Sequence, residues 1–169
     1  MTKPIIRPET PEDVAVIQAV IESAFLGAPH ANRNEQFILA ALRDAGALTL
    51  SLVAVVDESI VGNVAVSPVS ISDGAPGWFG VGPVAVVPDL QRRGIGSELM
   101  REALARLSEQ GASGCVVLGD PSYYQRFGFT NNAGLVLPDI PPQYFMVRPF
   151  GQAVPTGTVT YHQAFSAPE

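Results

Sequence analysis

The sequence predicts a mixed α/β (α+β) fold, a central mixed sheet flanked by helices. Three observations carry that prediction. Residues 48–56 and 60–66 are two apolar, β-branched runs separated by Asp57-Glu58-Ser59, the pattern of a hairpin. Residues 84–110 pass from an apolar run through Pro88-Asp89 into a glycine-containing turn. They continue as a segment with Leu99, Met100, Ala103, Leu104 and Leu107 on one helical face. Short strand-like runs then recur at 115–118, 144–147 and 158–161. Hairpins first, one strand–helix–strand unit in the middle and strands at the end describe a mixed sheet. A doubly wound dinucleotide fold would need repeated strand–helix alternation. A chain of 169 residues that is 47% hydrophobic can bury a substantial core and reads as one domain, 1–169.

The elements follow in order. Ile5 and Ile6 form a short first strand before Arg7-Pro8. Thr10 at a capping position, Pro11 at the first helical position and Asp13 three beyond the cap start a helix over about residues 11–25. Residues 25–30 break it, and a second helix over 34–45 carries Phe37, Ile38, Ala41 and Leu42 on its apolar side before stopping near Gly46. The hairpin follows, and residues 67–72 extend its second strand past a bulge expected at Pro68. Residues 73–77 form a turn, and 78–87 a strand whose Gly80, Gly82 and Pro83 predict irregular pairing. A helix spans 95–110 and ends at Gly111 before the buried strand 115–118. Residues 123–127 make one or two helical turns that stop near Gly128, and Phe129 enters another strand. Residues 135–142 read as a loop, 144–147 and 158–161 as the last strands, with a terminal turn through Phe165.

Charge and composition narrow the function. The formal net charge is -6, which argues against general nucleic-acid binding, since its nonspecific part rests on neutralising phosphates. Yet Arg92, Arg93, Arg101 and Arg106 cluster within residues 92–106, the distribution of a local phosphate site or of a solvated helix face. The single cysteine, Cys115, excludes an intramolecular disulfide and a multi-cysteine metal site and fits a reducing compartment. The N-terminal residues lack a long apolar core, so neither a secretion signal nor a membrane span is expected; a cytoplasmic protein with no metal is.

The turn at 91–97 carries the chemistry. A strand, closely spaced glycines and an immediate helix make a nest for a phosphate, because glycine lets backbone approach closely and the first helical N–H groups are unpaired. Gly94-x-Gly96 lacks the third glycine of the dinucleotide fingerprint and the Gly-Lys-Ser/Thr of a nucleoside-triphosphate loop. The glycines by themselves equally permit a tight strand-to-helix turn.

Gln91-Arg92-Arg93-Gly94-Ile95-Gly96 resembles the Q/R-x-x-G-x-G/A signature of the GCN5-related N-acetyltransferase (GNAT) superfamily. Downstream, Tyr123-Tyr124-Gln125-Arg126-Phe127-Gly128-Phe129 is similar to that family's aromatic-tyrosine-x-x-x-glycine-phenylalanine block. The longer form, from Gly119-Asp120-Pro121 onward, and Tyr161-His162-Gln163-Ala164-Phe165 resemble a bacterial subgroup of acetyltransferases. The resemblance implies an acyl-CoA N-acyltransferase fold whose sheet splays between its fourth strand, 78–87, and its fifth, 115–118, with acetyl-CoA wedged in the opening. Backbone groups of Val84, Ala85 and Val86 would face the pantetheine arm. Gln91, Arg92, Arg93, Gly94, Ile95, Gly96 and Ser97 would hold the diphosphate. Homodimers are also implied.

Amine attack on a thioester needs a proton acceptor for the ammonium, donors to the developing oxyanion and a proton for the departing thiolate. A phenol with a pKa of about 10 can supply that last proton. The family resemblance gives the role to Tyr124; Tyr123 has a similar claim on composition, and the motif register prefers Tyr124. Many relatives place a glutamate on the fourth strand, but residues 78–87 contain no carboxylate or histidine, which leaves either a substrate amine already partly neutral or a base elsewhere reached through water, with His30, Glu35, Asp120 and His162 as candidates. Cys115, in an apolar strand without a neighbouring histidine, reads as an inert buried thiol. The acceptor, a small-molecule or peptide amine, is expected at residues 25–34 with help from 67–73 and the C-terminal segment. Phe25, Pro29, Trp78 and Tyr144 are candidates for its apolar walls. An N-acetyltransferase is the leading reading. A non-catalytic acyl-CoA-binding or regulatory module and an acyltransferase using another donor are the alternatives.

Overall fold

The structure, a computed structural model, describes residues 3–26, 35–151 and 153–166. Its strands are β1 (Ile5–Pro8), β2 (Leu50–Val56), β3 (Ser59–Ile71), β4 (Trp78–Val86), β5 (Gly114–Leu118), β6 (Leu135–Val136), β7 (Phe145–Pro149) and β8 (Gly157–Tyr161). Its helices are α1 (Val14–Phe25), α2 (Glu35–Asp44), α3 (Ile95–Glu109) and the single turn α4 (Pro121–Tyr124). The main sheet runs β1-β2-β3-β4-β5-β7, antiparallel throughout except for the parallel pair β4–β5. β8 pairs with the far end of β3, Val69 to Ile71, and carries β6 on its other edge.

Alternation along the strands sorts side chains between two layers. Leu52, Ala54, Val64 and Val66 join Cys115 and Val117 in a core completed by Leu99, Met100, Ala103 and Leu107 of α3. Those four α3 residues have no exposed surface, and each large one contributes roughly 1.5–3 kcal/mol by its burial. On the opposite face Val53, Ala65 and Ala85 meet Ile17, Val20 and Ile21 of α1 and Leu39 of α2. Beside them, Trp78, Val116, Phe145 and Val147 are covered by Leu135 and Val159.

The parallel ladder between β4 and β5 has rungs at Trp78↔Gly114, Phe79↔Cys115 and Gly80↔Val116. Beyond Gly80, β4 stays with β3 to Val86, while β5 stays with β7 to Leu118. The sheet therefore forks after Gly80 and Val116. The irregularity expected from Gly82-Pro83 is present: Val64 and Val66 of β3 face Val84 and Val81, so β4 carries an extra residue between them. Gly82 has φ 142°, a conformation open to glycine, and Pro83 has no N–H to donate.

Several local expectations are corrected. β3 continues through Pro68, which pairs with Phe79, and its register shift lies at Val64/Val66 rather than at the proline. Phe129 leads only to an isolated bridge, Thr130↔Val147, and the 135–142 stretch contains the short β6. The helix start carries the expected capping box of Thr10 and Asp13: the Asp13 carboxylate accepts the Thr10 N–H at 2.7 Å and the Thr10 hydroxyl at 3.1 Å, and also pairs with Arg7 at 2.7 Å. The Arg7 guanidinium and the Thr10 N–H together hold the Asp13 carboxyl well below the usual carboxylate range.

Candidate functional site

At the fork the strand, the turn and two helices enclose a cavity of about 510 Å³. Val84 and Val86 supply one wall; Gln91, Arg92, Gly94, Gly96 and Ser97 supply the turn; Tyr123 and Tyr124 close the opposite side. The turn's backbone explains its chemistry. Arg92 has φ 64° and Gly94 has φ 87°, so left-handed residues alternate with extended or helical ones, the arrangement of an anion-binding nest. The first helical bond of α3 is Glu98 N–H to Gly94 O, at 3.0 Å, so the N–H groups of Ile95, Gly96 and Ser97 precede it without a helical acceptor. A Cβ at Gly96 would stand 3.2 Å from the Tyr123 hydroxyl and 3.8 Å from Val86 Cγ2, so that glycine keeps the mouth between α3 and β4 open.

The other residues expected here sit differently. Ala85 of β4 is buried toward α1, the Ile95 side chain is buried in the α3 layer, and Arg93 is exposed, and none of the three lines the cavity. The Gln91 side-chain amide donates to Val86 O at 2.9 Å, tying the turn back to β4. Two lining residues went unnoticed in the sequence, Leu90 and Arg126. The Arg126 guanidinium lies 4.5 Å from the Tyr123 ring centroid, and its signal was its place within the Tyr-Tyr-x-Arg-Phe-Gly-Phe block.

Asp120 fixes the tyrosines by starting α4: its Oδ1 accepts the Ser122 N–H at 2.9 Å and the Ser122 hydroxyl at 2.8 Å. Tyr123 and Tyr124 meet edge to face at 5.0 Å, and Tyr124 packs on Phe129 at 5.9 Å. The Tyr124 ring lies so close over Gly119 that a Cβ there would be 2.6 Å from its Cε2. Burial, then the neighbouring Tyr123 and Asp120, pushes the Tyr124 phenol up to about 12. It is thus protonated at every pH near neutrality.

Among the four candidate bases, Asp120 is engaged in the cap, and His162 Nδ1 accepts the Ala164 N–H at 3.0 Å. His30 lies outside the described residues, as do Pro29 and most of the expected acceptor loop. Glu35 differs: it extends the buried stripe Ile38, Leu39, Leu42 of α2 by one turn, and its Oε2 is shielded from solvent with no hydrogen-bond partner among the described residues. Of the other expected acceptor walls, Trp78 is core, Phe25 is packed against the α1 layer and Tyr144 is exposed. Cys115 is fully buried, and desolvation pushes its thiol up, which leaves it unreactive. Among the described residues no group of His, Cys, Asp or Glu side chains assembles that could hold a metal ion, and no helix is long and apolar enough to cross a membrane.

A forked mixed sheet with an anion nest at the start of the helix after its fourth strand defines an acyl-CoA N-acyltransferase architecture, and the chain belongs to the GNAT acetyltransferase family. The family profile described as "Acetyltransferase (GNAT) domain" matches residues 48–131. The Escherichia coli K12 protein named "Uncharacterized N-acetyltransferase YhbS" is 38% identical over 126 residues, 74% of this chain and 72% of that one. A GNAT-family acetyltransferase from Brucella melitensis, solved with acetyl-CoA, superposes with a TM-score of 0.86 at 47% identity, covering 96% of this chain and 97% of the other. The E. coli YhbS structure, solved with CoA, gives a TM-score of 0.89 at 34% identity over 98% and 93% of the two chains.

Proposed function

We propose that residues 1–169 form one N-acetyltransferase domain that moves an acetyl group from acetyl-CoA to a primary amine by direct attack on the thioester. The observation that carries this reading is the continuity of one cavity from the left-handed turn at Arg92 and Gly94 to the buried Tyr124 phenol. Related proteins were solved with acetyl-CoA and CoA, whose diphosphate suits the nest. The amine nitrogen attacks the carbonyl carbon, a C–N bond forms, and the tetrahedral oxyanion collapses with loss of the C–S bond. Tyr124 gives its proton to the departing sulfur and is returned to the phenol by solvent. The proton leaving the amine goes to Glu35, whose Oε2 has no partner among the described residues. A buried carboxylate oxygen without a donor is costly, and an acceptor's ammonium would satisfy it.

The absence of a carboxylate on β4 favours one competing reading, a module that binds acyl-CoA without turning it over. Calorimetric titration with acetyl-CoA, followed by measurement of free thiol on adding a panel of small-molecule and peptide amines, separates the two. Amine-dependent CoA release is the expected outcome. Tight binding with no release from any amine favours the non-catalytic module, and no binding overturns both.

A further inference from the structure

The opposite face of the fork carries a second tyrosine that the proposed reaction does not use. β8 pairs with β3 at Val69↔Tyr161, and this lays the Tyr161 ring across β4 at Gly80. A Cβ at Gly80 would be 2.5 Å from Tyr161 Cε1 and 3.0 Å from its Cδ1, so the ring rests directly on the strand's backbone. Gly80↔Val116 is the last rung before β4 and β5 separate. Tyr161 therefore stands at the apex of the fork, held from behind by Phe165 at 5.0 Å between ring centroids. Its hydroxyl makes no hydrogen bond among the described residues. Desolvation first, then the Cys115 thiol and the Tyr124 phenol, push it above the usual phenol range. Ser67, the β3 partner of Gly80, points from the same face; it is fully buried, and its Oγ has no hydrogen-bond partner among the described residues.

Val84 and Tyr124 line the cavity and Tyr161 does not. An acyl chain continuing past a sulfur beside Tyr124 would run toward the apex of the fork, where the Tyr161 ring rests on Gly80 and packs against Phe165. The Tyr161 and Ser67 hydroxyls, unpaired among the described residues, suit a carbonyl and its short substituent better than methylenes. We propose that Tyr161, standing on Gly80 at the apex of the fork, limits the acyl group to acetyl size. This rests on the acetyl-CoA reading above and adds a specificity determinant to it.

The test is calorimetric titration of CoA, acetyl-CoA and butyryl-CoA into the wild-type protein, Tyr161→Ala and Tyr161→Leu. The wild type is expected to bind acetyl-CoA about tenfold or more tightly than butyryl-CoA, the scale on which a filled pocket rejects extra methylenes. Both variants are expected to bring that ratio within about threefold while free CoA binds as before. Equal wild-type affinities overturn the proposal, as does an unchanged ratio in variants that bind CoA normally. Loss of CoA affinity in both variants makes Tyr161 a structural residue and overturns it too. If the wild type binds none of the three ligands, the acetyl-CoA reading falls, and this inference with it; if CoA binds and only the discrimination is missing, only this inference falls.

Discussion

Gly96→Ala separates ligand binding from folding. Gly96 is the second residue of α3, and its φ is not in the left-handed region, so alanine fits the local backbone. Replacing a helical glycine by alanine is worth about 0.5–1 kcal/mol in favour of the folded state. Against that stands the 3.2 Å approach of the new Cβ to the Tyr123 hydroxyl, the far end of a side chain that can yield by a few tenths of an ångström. The net change in stability is therefore small, at most roughly 1 kcal/mol either way, or about 2–4 °C in melting temperature for a chain of this size. Ligand binding has no such compensation. The methyl group stands 3.8 Å from Val86 Cγ2, in the gap between α3 and β4 where the ligand's diphosphate must meet the N–H groups of residues 95–97. Losing close backbone approach to a charged group is expected to weaken acetyl-CoA binding by at least about tenfold, roughly 1.4 kcal/mol. Calorimetric titration gives the affinity, and thermal unfolding without ligand gives the stability. Unchanged affinity in a folded variant would refute the reasoning, and so would a melting temperature that falls in step with affinity, which would make the glycine merely a packing requirement.

Two further predictions concern the chemistry. Tyr124→Phe is expected to keep acetyl-CoA affinity and to lower kcat by about 10²–10⁴, the range for loss of a positioned acid, and unchanged turnover at saturating substrate removes the assigned role. The same variant has a signature in alkali. Because the folded phenol is pushed up to about 12, the unfolded chain loses its proton first, so the wild type loses stability as pH rises from about 10 towards 12. Tyr124→Phe should flatten that limb in pH-dependent denaturant melts. Glu35→Gln is expected to lower the rate of amine-dependent CoA release by about tenfold or more without changing acetyl-CoA affinity. Its melting temperature should hold or rise, since an unpartnered buried carboxylate oxygen is replaced by a neutral amide. A variant that melts earlier and turns over normally would show that Glu35 serves folding alone.

Much of this protein was legible in its sequence because the relevant forces are local. Apolar spacing at 99–107 fixed one face of α3, and Asp57-Glu58-Ser59 between two β-branched runs fixed the β2–β3 hairpin. Gly94 marked a turn whose left-handed backbone glycine adopts freely, and the Tyr-Tyr-x-Arg-Phe-Gly-Phe block marked α4 and its aromatic packing. Other features depend on which segments meet, and no local pattern encodes that. Arg92 is left-handed although nothing in its side chain requires it, because the nest between β4 and α3 imposes that conformation. The register shift sits at Val64/Val66 rather than at Pro68 because the extra residue is on the partner strand. Asp13 also takes Arg7 of β1 as an ion-pair partner, a contact that depends on β1 lying beside the helix start. Glu35 is one candidate base among four along the chain, and nothing local separates it from the others or places Tyr161 at the fork. Only the packing of α2, β3 and β8 leaves the Glu35 and Ser67 oxygens buried without partners among the described residues and stands a ring at the fork, since burial and the loss of hydrogen-bond partners are properties of the assembled fold.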